Sequence, residues 1–81
     1  MESEVTTSYW IYDNYYIVLI RLNPPNAYAG YVRALNPPKS LDDVAMYNHT
    51  SEWLTKWMRV SKLEPITKQE AQKLLALWNL K

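Results

Sequence analysis

The side chains that could carry out a reaction are few in this 81-residue chain, which contains one histidine and no cysteine. The histidine, His49, lies in a polar run over residues 48–51 that is typical of a turn or a helix cap. Without cysteine the chain has no thiol nucleophile and no thiolate zinc site, and a single histidine cannot form a two-histidine metal site. We therefore expect no catalytic residue and no metal ligand.

Two other constellations are too weak to support catalysis. Asp42 and Asp43 are adjacent, so on a helix they would point about 100° apart and would not share a site. Gly30 is the only glycine, which excludes a glycine-rich phosphate loop. These exclusions predict a protein that is not an enzyme and that has no cofactor.

The aromatic residues are the distinctive chemical feature, with seven Tyr and four Trp but no Phe. Tyr and Trp combine a large apolar body with a polar tip, which suits a surface that another molecule covers. Several of them lie beside arginines in segments of β character. We predict a partner-binding face made of six residues: Trp10, Tyr12, Tyr15, Arg21, Tyr31 and Arg33.

The size of that face favours protein binding. Its four aromatic residues would present about 600–1,000 Å² if uncovered, whereas the largest apolar patch of a monomer is about 300–600 Å². The main hypothesis is a small protein-interaction module that binds either a partner protein or a second copy of itself as a homodimer. Its general profile is that of phage or mobile-element accessory and inhibitor proteins. An alternative hypothesis is a module for single-stranded nucleic acid, with bases stacked on Trp and Tyr beside Arg or Lys. A third alternative is that residues 51–58 cover the face.

Charge and hydropathy limit the partner and the compartment. The net charge of +1 divides into −3 over residues 1–54 and +4 over residues 55–81, so the aromatic half carries the acidic excess that disfavours nucleic acid. The longest apolar stretch, Tyr15 to Ile20, has six residues, far below the roughly 20 that span a bilayer. Residues 1–8 do not resemble a signal peptide, and the lack of cysteine fits a reducing compartment. We expect a cytoplasmic protein with no membrane partner.

The elements that must position the aromatic face are three N-terminal strands. Segments rich in β-branched and aromatic residues predict strands over 7–13, 15–22 and 27–35. Asp13-Asn14 suits a two-residue hairpin turn that would pair Tyr12 with Tyr15.

In that register Trp10 faces Ile17 and lies on the aromatic face. The opposite, aliphatic face then carries Tyr9 together with Val18 and Ile20.

Glycine and proline mark the limits of the third strand. Gly30 indicates a bulge or the close approach of another segment, and without a bulge Tyr31 and Arg33 join the aromatic face. The sequence Leu-Asn-Pro-Pro ends a strand twice, at Leu22–Pro25 and at Leu35–Pro38. For the first, a wide polyproline-like loop is expected, with a cis Pro24-Pro25 bond as the alternative.

The C-terminal half has helical spacing. It predicts helices over 40–48, 51–58 and 67–80. Two alternatives are that the first two helices form one continuous helix and that residues 59–64 form a short strand. Thr67 and Glu70 form a capping box before the last helix, which is expected to cover the aliphatic face. The sequence therefore predicts one α+β domain over residues 1–81, in which the helices pack on a three-stranded antiparallel meander and residues 1–6 form a flexible tail.

Overall fold

The structure, a computed structural model, describes residues 6–80. Within this range the chain forms five strands, one 3-10 turn and two helices: β1 (Thr7–Tyr12), β2 (Tyr16–Asn23), β3 (Asn26–Arg33), the 3-10 turn (Leu41–Asp43), β4 (Tyr47–Thr50), α1 (Ser51–Ser61), β5 (Glu64–Ile66) and α2 (Lys68–Asn79). The strands form one antiparallel sheet in the order β4-β3-β2-β1-β5. This confirms the α+β class, with an N-terminal meander and C-terminal helices. The predicted tail lies outside the described residues except for Thr6.

Each face of the sheet is covered by one helix. On the α2 face, side chains of the sheet and of α2 form a buried cluster together with one residue of the 3-10 turn: Ile17, Leu19, Val32, Leu41, Ala71, Leu75 and Trp78. On the α1 face, Leu54 of α1 lies over four buried residues of β2 and β3: Val18, Ile20, Ala27 and Ala29. The centre of β2 is thus buried on both sides.

The β1–β2 hairpin has a three-residue loop, so the predicted two-residue turn is wrong. Asp13 and Asn14 do adopt the expected positive φ angles, 54° and 59°. Tyr15 also belongs to the loop, and Tyr12 pairs with Tyr16. Three-residue hairpin loops are common alternatives to the two-residue turns.

The longer loop reverses the predicted faces of β2. A shift of one residue turns every side chain of a strand to the other face. Trp10 therefore pairs with Val18 and not with Ile17, while Tyr9 pairs with Leu19 on the α2 face. The sequence could not decide this phase because the apolar run of β2 has no alternation.

The predicted helix over 40–48 is wrong. Ser40 caps only one 3-10 turn, and the backbone is extended again at Val44. Val44 and Met46 pack against the α2-face cluster while Ala45 between them is exposed. An extended chain places alternate side chains on the core and then supplies β4 as a hydrogen-bonding partner for β3, which a helix cannot do.

Gly30 permits the close approach of residues 44–46 and does not form a bulge. β2 and β3 pair without interruption from end to end. A Cβ atom on Gly30 would lie 2.6 Å from Cγ1 of Val44 and 2.7 Å from Sδ of Met46. Without a bulge, Tyr31 and Arg33 lie on the α1 face together with Trp10, as expected for that alternative.

The two remaining connections also differ from the main expectations. Asn23 pairs with Asn26, so a tight two-residue connection with a cis Pro24-Pro25 bond replaces the wide loop. The strand predicted over 59–64 is displaced, because α1 continues to Ser61 and ends at Lys62, whose φ of 55° is left-handed. The extra strand is β5, which pairs with β1.

The caps of both helices follow the sequence. Thr50 caps α1 by accepting a hydrogen bond from the N–H of Trp53 at 3.1 Å. Before α2, the N–H of Thr67 donates to Oε1 of Glu70 at 2.8 Å, and the N–H of Glu70 donates to Oγ1 of Thr67 at 3.0 Å. The capping box is thereby confirmed.

Because β4 precedes α1, a single helix from residue 40 to 58 is excluded.

Candidate binding groove

An open groove of about 470 Å³ lies on the α1 face, beside the helix. Five of its six lining residues are aromatic or charged: Tyr12, Tyr16, Val18, Tyr31, Arg33 and Trp57. Arg33 is the one charged residue among them. The groove thus combines ring surfaces with a single cation.

The sheet side of the groove follows from strand register. Tyr12 pairs with Tyr16, which in turn pairs with Arg33, so these three side chains stand side by side on the α1 face. Tyr31 lies on the same face, two residues before Arg33, and pairs with Val18. Three neighbouring strands therefore form the floor of the groove.

The helix side of the groove is Trp57. Leu54 of α1 is fully buried against the sheet. Trp57 follows three residues later on the same side of the helix and lies at the edge of the contact between α1 and the sheet. Its ring meets Tyr31 edge-on, with centroids 6.0 Å apart and planes at 89°. It also contacts Tyr12 at 6.5 Å, and Tyr12 contacts Tyr16 at 5.7 Å.

The ring contacts continue along α1 to the edge strand. Trp53 lies one turn before Trp57, with centroids 6.4 Å apart and planes within 5° of parallel. Trp53 also stacks on His49 of β4 at 4.7 Å. We call this connected set the aromatic row: Tyr16, Tyr12, Tyr31, Trp57, Trp53 and His49. It joins β1, β2, β3, β4 and α1.

The aromatic row is only partly covered. Tyr12, Tyr31 and Trp53 retain 37%, 40% and 48% of their exposure, respectively. Partial burial raises the pKa of the Tyr31 hydroxyl above its ordinary value. The Nε2 atom of His49 is shielded from solvent and has no hydrogen-bond partner among residues 6–80. The aromatic row therefore leaves ring surface exposed to solvent.

The structure brings together three of the six predicted site residues, Tyr12, Tyr31 and Arg33, in the groove. Trp10 shares their face but packs among the residues beneath α1, and its indole N–H donates to Oγ of Ser8 at 2.9 Å.

The other two predicted residues lie outside the groove. Tyr15 is 64% exposed in the β1–β2 loop. Together with Arg33 it lines a separate hollow beside the groove. Arg21 faces the α2 side, where Nε and Nη2 each donate to Oγ1 of Thr7 at 3.3 Å. The predicted position of Arg21 on the aromatic face is therefore wrong, because the longer hairpin loop reverses its face.

Sequence reasoning missed two groove residues, Tyr16 and Trp57, and the flanking Trp53. The predicted register pairs Tyr12 with Tyr15 and therefore puts Tyr16 on the aliphatic face. The two tryptophans belong to residues 51–58, which enter the prediction only as a cover for the aromatic face. Their spacing of four residues is the signal that places both rings on one side of a helix.

The described residues show neither a metal cluster nor a helix that could span a membrane. Among the described residues no group of three or more His, Cys, Asp or Glu is arranged to hold a metal ion. Neither α1 nor α2 has the length and apolar character needed to cross a membrane. No protein-family model, curated protein or solved structure matches the chain. The groove and the aromatic row are thus the features of the described residues that point to a function.

Proposed function

We propose that this protein is a small non-enzymatic interaction module that binds a partner protein, or a second copy of itself, through the groove and the adjoining aromatic row. The observation that carries the proposal is the continuity of the ring contacts from the sheet onto α1. α1 covers the centre of its face completely, yet Tyr12, Tyr31 and Trp53 stay more than a third exposed. The absence of cysteine supports a cytoplasmic setting for this interaction.

The chemistry of the groove suits protein recognition. Trp, Tyr and Arg are over-represented among the residues that dominate binding energy, and such residues cluster in desolvated pockets. The rings in the groove are held by contacts with one another, so binding would order few additional side chains. Arg33 adds one directional contact to an otherwise neutral surface.

One observation favours a second candidate, the binding of single-stranded nucleic acid. Trp53 and Trp57 present nearly parallel rings, and Lys56 and Arg59 lie on the same helix. Unpaired bases stack on such rings, and basic residues contact the phosphates. This candidate ranks second because Arg33 is the one cation lining the groove itself.

The decisive experiment compares matched variants. Wild-type protein, Tyr31→Ala, Trp57→Ala and the control Lys73→Ala, an exposed residue of α2 on the far side of the sheet, are immobilised and exposed to cell lysate. The mass of each free protein is measured by light scattering over a range of concentration. Circular dichroism establishes that each variant remains folded.

The proposal predicts a partner, or a dimer, that wild type and Lys73→Ala bind equally. Removing a hot-spot ring weakens binding by at least 2 kcal/mol, or about 30-fold, so Trp57→Ala should release it. Retention of every bound protein by Trp57→Ala and Tyr31→Ala would refute the proposal. Saturable quenching of tryptophan fluorescence by a mixed-sequence oligonucleotide, lost in Trp57→Ala, would select the second candidate.

A further inference from the structure

The outer edge of β3 is open beside the groove. β4 pairs with β3 only from Asn26 to Ala29, although β3 continues to Arg33. The residues before β4 leave the plane of the sheet, because the carbonyl oxygen of Ala45 lies 3.0 Å from the position of a Cβ on Gly30. That position is on the α2 face. No strand therefore covers the edge from Tyr31 to Arg33 among the described residues.

The backbone groups at this edge point outward. The N–H of Ser51 donates to the carbonyl of Pro25 on the β4 side of the chain, at 2.9 Å. The N–H of Ala34 donates to the carbonyl of Tyr15 on the β2 side, at 2.8 Å.

Successive residues of a strand alternate between these two sides. Tyr31 and Arg33 therefore direct their N–H and C=O groups away from β2, whereas Val32 directs its own toward β2. Within residues 6–80, neither Tyr31 nor Arg33 has a backbone hydrogen bond on the outer side.

We propose that the partner contributes an extended peptide segment, which adds to this edge of β3 as an antiparallel strand. This inference rests on the proposed function and names the partner class for the same groove. The peptide residue opposite Arg33 would carry a carboxylate. The residue two positions later in the peptide would lie opposite Tyr31, on the same face, and would insert an apolar or aromatic side chain into the groove.

The pattern Asp/Glu-any-apolar follows from the residues at the edge. Arg33 is the one charged residue lining the groove, so a carboxylate complements it and a second cation does not. Tyr31 and Trp57 form the ring surfaces next to the second position. Main-chain hydrogen bonds to the edge would provide affinity, and the two side chains would provide specificity.

A second copy of the chain fits the edge less well. Pairing centred on Val32 would bring Arg33 of each copy opposite Tyr31 of the other, which leaves both guanidinium groups without a carboxylate. Pairing centred on Arg33 would oppose two arginines, and like charges directly opposite are destabilising. A separate peptide can place a carboxylate opposite Arg33, which neither arrangement of a second copy does.

The test selects ligands and then maps their contact. Random twelve-residue peptides displayed on phage are selected on the immobilised full chain, and enriched peptides are synthesised. Their affinities are measured for wild type, Arg33→Ala, Arg33→Pro and Trp57→Ala. Arg33→Ala removes the side chain beyond Cβ but keeps the outward N–H, whereas Arg33→Pro also removes that N–H without removing a hydrogen bond to β2.

The inference expects enriched peptides with Asp or Glu two positions before an aliphatic or aromatic residue. Arg33→Ala should weaken binding several-fold, and Arg33→Pro should weaken it further by about 2- to 10-fold, the worth of one hydrogen bond. Equal affinity of these two variants would contradict strand addition.

A second readout does not depend on the proline variant folding. In wild-type protein, the amide of Val32 should exchange slowly with solvent, while those of Tyr31 and Arg33 should exchange fast. Adding a selected peptide should protect the Tyr31 and Arg33 amides at least tenfold.

The outcomes separate the two proposals. Peptides that need Trp57 but lack the acidic spacing, or that leave the Tyr31 and Arg33 amides unprotected, would overturn strand addition and leave the binding module standing. Failure to enrich any peptide would also overturn strand addition. The lysate and light-scattering comparison decides the module itself.

Discussion

The ring of Tyr31 on β3 meets the ring of Trp57 on α1 edge-on, with centroids 6.0 Å apart. The two residues are far apart in the sequence, and this contact joins the sheet to the helix within the lining of the groove. Edge-to-face pairs contribute about 0.5–1.5 kcal/mol beyond the area that they bury. The contact therefore holds both rings in place while leaving Tyr31 40% exposed.

The ionisation of Tyr31 is expected to lower stability at alkaline pH. Burial raises the pKa of Tyr31 in the folded state above its unfolded value, so the fold favours the neutral hydroxyl. The stabilising contribution is complete below the unfolded value, about pH 10, and is lost as the pH rises through the folded pKa. Urea unfolding of wild type and Tyr31→Phe, from neutral pH into this range, measures the effect. The Tyr31→Phe variant should lose less stability.

An absorbance titration provides an independent check on the same group. The difference between the wild-type and Tyr31→Phe curves isolates one phenol. Its midpoint should lie above about pH 10. A midpoint at or below that value would show that the hydroxyl is not desolvated.

Gly30→Ala is expected to destabilise the protein by about 1–3 kcal/mol, the usual effect of overpacking. The added Cβ would lie 2.6 Å from Cγ1 of Val44 and 3.0 Å from the backbone oxygen of Ala45, which cannot move as a side-chain tip can. Thermal unfolding monitored by circular dichroism measures the loss.

A double-mutant cycle with Val44→Ala tests the cause of that loss. Removing Cγ1 relieves one of the close contacts, so the two substitutions together should cost less than the sum of their separate effects. Additive effects would mean that the contact with Cγ1 of Val44 does not cause the loss.

His49→Phe is expected to leave stability unchanged or to raise it by about 1 kcal/mol. A buried polar atom without a partner is costly, whereas an apolar group of similar shape is not. Nε2 of His49 is such an atom, and a phenyl ring would retain the stacking on Trp53. His49→Ala, which removes the stacking as well, serves as the comparison. A clear loss of melting temperature in His49→Phe would show that Nε2 has an unrecognised partner.

The sequence predicts best those features that depend on local interactions. The capping box at Thr67 and Glu70, and the amphipathic spacing of Leu75 and Trp78, specify α2 without reference to the rest of the fold. The third strand could be placed for the same reason, since prolines flank it on both sides. Positive φ angles at Asp13 and Asn14 also follow from residue type.

The phase of β2 and the groove could not be predicted in this way. Ile17 to Ile20 are buried on both faces, so their pattern does not distinguish a two-residue from a three-residue hairpin loop. The groove needs Trp57 to reach Tyr31, and such a contact depends on where α1 docks. Likewise, Val44 and Ala45 are compatible with a helix until their contact with Gly30 is known.

Leu75 and Leu77 lie two residues apart in α2 but differ in environment. Leu75 is 5% exposed in the α2-face cluster, whereas Leu77 is 56% exposed. Leu75→Ala should lower the free energy of unfolding by about 2–5 kcal/mol, because truncation leaves a cavity. Leu77→Ala should change it by no more than about 0.5 kcal/mol. Urea denaturation of both variants measures the difference, and equal midpoints would mean that α2 does not bury Leu75 against the sheet.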